Sequence, residues 1–102
     1  MWPKTIIDLL RTISNWLEAA EDRGSLWSLY TSAAESCLTE VRTVRDSLIE
    51  IGSTDDALIE CLDRAIPDLE AAFMALQAHQ RQPALAKTKS AESILSSIEI
   101  ID

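Results

Sequence analysis

Histidine occurs once in this chain of 102 residues, glycine and cysteine twice each, proline three times, and aromatic residues make up 5%. A lone His79 cannot supply a Glu-x-x-His metal site, which takes two histidines and supporting carboxylates from facing helices. Cys61 shares its helical angle but lies 18 positions away, ~27 Å along a helix, so the two form no pair. Positive charge is also scarce: nine Lys and Arg stand against 17 Asp and Glu, for a formal charge of -8. The longest basic cluster is Lys87-Thr88-Lys89, too little to collect phosphates, so direct nucleic-acid binding is not expected. No run approaches the ~20 apolar residues of a membrane span. Asp8 and Arg11 break the amino-terminal apolar run, which does not support a signal peptide; the expected location is the cytoplasm. No catalytic, metal or nucleotide motif of useful specificity stands out, and no cofactor is expected.

The two cysteines are expected to be free. If the segments around Gly52 and Ser53 form an antiparallel helical hairpin, Cys37 and Cys61 sit ~10 Å out of level, beyond the ~7 Å that a disulfide tolerates between Cα atoms. Buried, unbridged thiols fit a reducing compartment.

What is present is apolar periodicity. Trp27, Tyr30, Ala34, Cys37, Val41, Val44, Leu48 and Ile51 alternate spacings of three and four, the pattern of a helix packed lengthwise against near-parallel partners. Ile6, Leu10, Ile13, Leu17 and Ala20 define an earlier helix, about Pro3 to Asp22, widened by Leu9 and Trp16. Gly24 is its expected left-handed stop and Ser25 the next N-cap. The second helix runs to Ile51 and stops at Gly52. Ser53 or Thr54 caps the third, about Asp55 to Gln80, with Leu58, Leu62, Ala65, Leu69, Ala72 and Leu76 as its stripe. Pro67 interrupts that stripe, and a mid-helix proline predicts a kink or short break. Arg81-Gln82-Pro83 makes the last turn, and the fourth helix spans about Ala84 to Ile100.

Short connections force antiparallel neighbours, which predicts an all-α, up-down-up-down four-helix bundle in a single domain, 1–102, with a long central hairpin of helices two and three. The outer helices are shorter than that hairpin, so part of it is expected to lack cover that a partner or a second copy, as a homodimer, would supply. The apolar arc of the second helix, with Leu29, Leu38 and Ile49, predicts that it is the most buried. Arg45 lies inside that arc and needs a carboxylate, from Glu40 or a neighbouring helix.

Candidate binding residues fall into two groups. Asp56, Glu60, Asp63 and Glu70 form an acidic strip along the third helix. Its ordinary role is solubility; its functional role is steering towards a basic partner. Ile7, Leu29, Met74, Leu85 and Ile100 project off their predicted apolar faces, and Trp2 precedes the first helix. Of these, Trp2, Ile7 and Met74 join the strip as partner-binding candidates. Trp16, Trp27 and Tyr30 fit the core pattern.

Glu18-x-x-Glu21 and Glu60-x-x-Asp63 resemble the paired acidic motifs of the all-helical nucleotide pyrophosphohydrolases. The resemblance implies magnesium held by these carboxylates around a nucleoside triphosphate. The helical pattern, however, turns Glu18, Glu60 and Asp63 away from the bundle interior, where they cannot converge on one ion. The Trp-x-Gly turn of the secreted helical hairpins is absent too, because Glu50 stands at the position of its Trp. The expected function is therefore a non-catalytic, acidic protein-protein interaction module. The alternative is a phage or mobile-element inhibitor that turns its acidic surface on a nucleic-acid-handling complex.

Overall fold

The computed structural model describes residues 4–19 and 24–101, and side chains within 4–19 and 26–97. Four helices follow in order: α1 Lys4–Ala19, α2 Gly24–Glu50, α3 Asp56–Gln77 and α4 Arg81–Ile101. Each packs against its sequence neighbour, and α4 closes the ring on α1, while among the described residues the backbones of the diagonal pairs stay apart. This is the expected up-down-up-down bundle. Its long axis of 45 Å is set by α2, whose 27 residues span ~40 Å.

The core is the set of inward stripes. Leu62, Ala65, Leu69, Ala72 and Leu76 of α3 meet Ala84, Thr88, Ala91 and Leu95 of α4, all almost fully buried. The small side chains on α4 let its backbone approach, and Thr88 returns its hydroxyl to the carbonyl of Ala84 at 2.6 Å, which satisfies that buried donor. From α1 come Ile6, Ile7, Leu10, Ile13 and Leu17. Ile7 was expected off the apolar face, yet is only 1% exposed. The reason is that α1 packs on two helices. Ile6 and Leu9 line a groove with α2, while Arg11 and Glu18, on the side of Ile7 and Ser14, bond to Glu92 and Lys89 of α4.

α2 is not the most buried helix: among the described residues it has five buried in a helix of 27, against eight in the 22 of α3 and six in the 16 of α1. The 16 residues of α1 cover ~24 Å, so it flanks only part of α2. Thr5 and Ile6 stand level with Ser36, Cys37 and Glu40. Past that level the α2 stripe loses cover: Val41 is buried, Val44 and Leu48 are half-buried, and Ile51 is exposed.

The helix ends differ in detail from the sequence pattern. Gly24 opens α2 and so does not serve as the stop before it, a position where glycine needs no positive φ. At the other end Gly52 has φ +72, with Gly52 N–H donating to Ile49 O at 3.1 Å and Ser53 N–H to Leu48 O at 2.9 Å: a Schellman turn. Asp55, one residue later than expected, caps α3 by accepting from Leu58 N–H at 3.1 Å, where a carboxylate also answers the helix dipole. α3 continues through Pro67 without a break. Pro67 is exposed, so water can reach the carbonyl it leaves unpaired. A second Schellman turn ends α3, with Gln80 N–H donating to Ala75 O at 2.8 Å and His79 at φ 55. The turn therefore precedes Arg81, and Pro83 sits within the first turn of α4, where no intrahelical donor is required.

Candidate interaction surface

The acidic strip lies where the periodicity puts it, on the exposed side of α3, but α2 answers half of it. Arg42 Nη2 stands 2.9 Å from Glu70, and Arg45 Nη1 stands 3.1 Å from Asp63. Arg45 also meets Asp46 at 3.0 Å. Hydrogen bonds to Asp46 first and Asp63 second raise the pKa of the Arg45 guanidinium. Exposed pairs of this kind add only ~0–1 kcal/mol, yet each removes one unit of unpaired charge. Arg45 thus finds the carboxylate it needs on the neighbouring helix, and Glu40 is not used. Among the described residues Asp56 and Glu60 have no ion-pair partner.

Met74 is 66% exposed, as expected of a side chain off the α3 stripe. Leu29 is 58% exposed, and Leu85 is tucked against the core. Trp2 and the side chain of Ile100 lie outside the described residues. The apolar exposure that the periodicity hid is at the α2 terminus, where Ile49 is 57% and Ile51 75% exposed. The unequal helix lengths predict an uncovered part of the hairpin such as this one, whereas the unbroken stripe alone reads as burial to its last residue.

The aromatic side chains close the opposite end of the bundle. Trp16 stacks on Tyr30 at 4.5 Å and meets Trp27 edge-on at 5.0 Å, while His79 stacks on Trp27 at 4.8 Å. Trp27 is buried and packing accounts for the group.

The chemistry-bearing residues are dispersed. Glu18 on α1 bonds to Lys89 at 3.3 Å, and the α1 backbone lies diagonally across the bundle from α3, which carries Glu60 and Asp63. Glu21 lies outside the described residues. Among those described, no three His, Cys, Asp or Glu gather closely enough for a metal ion. Both cysteines are free and buried. Cys61 donates to the carbonyl of Ile94 at 3.1 Å. Cys37 borders an open groove of about 320 Å³ between α1 and α2, but burial, with Glu40 adding repulsion, pushes its thiol up to about 12. A thiol held neutral is a poor nucleophile. No described helix is long and apolar enough to cross a membrane.

Two further side chains act structurally and left no mark in the periodicity. Arg81 of α4 donates to the carbonyls of Leu17 and Glu18 at 2.5 and 2.7 Å, capping the end of α1. Asp68 accepts from Ser90 and pairs with Lys87, tying α3 to α4. Comparison with family models, curated proteins and solved structures gives no match.

Proposed function

We propose that this chain is a small acidic protein-protein interaction module of the cytoplasm, without catalytic activity, that acts by occupying a surface on another protein. The observation that carries this reading is the exposed apolar end of α2 on a bundle whose other stripes, among the described residues, are packed. Scattered single apolar groups such as Leu29 and Met74 are ordinary. An apolar stripe that runs from the core into solvent is not, and such surfaces mark sites of association. The ion pairs of Arg42 and Arg45 halve the open charge on the α3 strip, which weighs against a nucleic-acid mimic.

The test is a pull-down from the native host followed by mass spectrometry at several salt concentrations. A protein partner whose capture weakens as salt rises is expected; a bait that stays clean at every salt concentration contradicts the reading. Magnesium-dependent hydrolysis of nucleoside triphosphates that is lost in Glu18→Gln or Glu60→Gln would instead establish the enzyme.

A further inference from the structure

Resting on that reading, we infer that the tip of the α2–α3 hairpin is the docking site, and that its occupant is a different protein presenting an apolar segment flanked by Lys or Arg. Three observations lead there. The first is continuity: Val41, Val44, Leu48 and Ile51 form one stripe whose burial fades from complete to 75% exposure as the described part of α1 runs out beside it. The open stretch is therefore an unfilled helix-packing position, about two turns long.

The second is rigidity. The Schellman turn fixes Ile51, whose own N–H donates to Ser47 O at 3.1 Å, before Gly52 reverses the chain. An anchor held in place by backbone bonds loses little conformational freedom on binding.

Charge supplies the third, and it selects the occupant. From Val44 to Glu60 the chain carries Asp46, Glu50, Asp55, Asp56 and Glu60 against the single cation Arg45. Arg45 is already bonded to Asp46 and Asp63. Arg64 stands one turn beyond Glu60 on α3, Arg42 is paired with Glu70, and Lys4 opens α1. A second copy related by a two-fold axis would bring this same acidic segment against itself, a like-charge contact that costs affinity. A basic rim around an apolar segment satisfies both features of the tip. The α1–α2 groove beside Cys37 lacks any comparable sign of what would fill it.

Photo-crosslinking in the native host tests this directly. Full-length chains carry p-benzoylphenylalanine at position 51, with positions 29 and 74 as controls on other faces; thermal melting checks that each is folded, and position 49 gives a second placement at the tip. The expected result is a crosslink from position 51 to another protein, on a peptide containing Lys or Arg. Its yield should fall about threefold or more when Glu50→Gln and Asp56→Asn are combined. A crosslink to a second copy, to the chain's own termini, or to a peptide without basic residues overturns the inference. So does an unchanged yield in the charge variant. Crosslinks from position 29 or 74 alone overturn the tip while leaving the interaction reading standing, and silence from every position overturns both.

Discussion

Cys37 reports burial through its proton. Its thiol is held neutral to about 12 in the folded chain, against 9.0 without that environment, with burial the main cause and Glu40 the second. Above pH 9 the unfolded chain loses this proton while the folded chain keeps it. Stability from this group is therefore complete below pH 9 and is lost as pH rises towards 12, by at most ~1.4 kcal/mol per unit. Urea unfolding at pH 8 and pH 10.5 should show wild type losing roughly 2 kcal/mol more than Cys37→Ala over that interval. Equal losses would mean that Cys37 is solvated. The burial of Cys37 was legible from its place in the stripe. Ile7 and Ile51 were misjudged for opposite reasons: one helix has a second neighbour beside it, and the other runs past its neighbour. His79 was illegible for a local reason. Left-handed C′ positions usually hold glycine, and here the strain of a non-glycine residue is offset by its ring stacking on Trp27.

At the level of elements, four helices, their order and most of their inward stripes follow from spacings of three and four. Their ends do not, because a cap depends on one hydrogen bond that several neighbouring residues could supply. Asp55 caps α3 where Ser53 and Thr54 were equally suited. Arg81 shows how far a cap can lie from its helix. It opens α4, where its charge opposes the helix dipole, and its benefit comes from two carbonyls of α1 more than 60 positions earlier. The sign of one substitution separates these effects. Arg81→Met should lower unfolding stability by about 1–2 kcal/mol in denaturant titration, since the carbonyls of Leu17 and Glu18 lose a charged donor. A neutral or stabilising outcome would show that the dipole conflict dominates and that the α1 end is capped otherwise.

For the whole molecule, the decisive quantity is the mismatch between a 16-residue α1 and a 27-residue α2. It sends one continuous stripe from the core into solvent and places Ile51 at its end, inside the most acidic part of the chain. Ile51→Ser removes that apolar anchor without adding charge, and at an exposed position it should leave thermal melting within ~0.5 kcal/mol of wild type. The most direct measurement compares wild-type and Ile51→Ser baits by quantitative mass spectrometry after capture from the native host. Loss of about tenfold or more of one wild-type partner, with melting unchanged, is the expected result for a binding anchor. The same partners at the same yields from both baits would contradict a binding role for the hairpin tip.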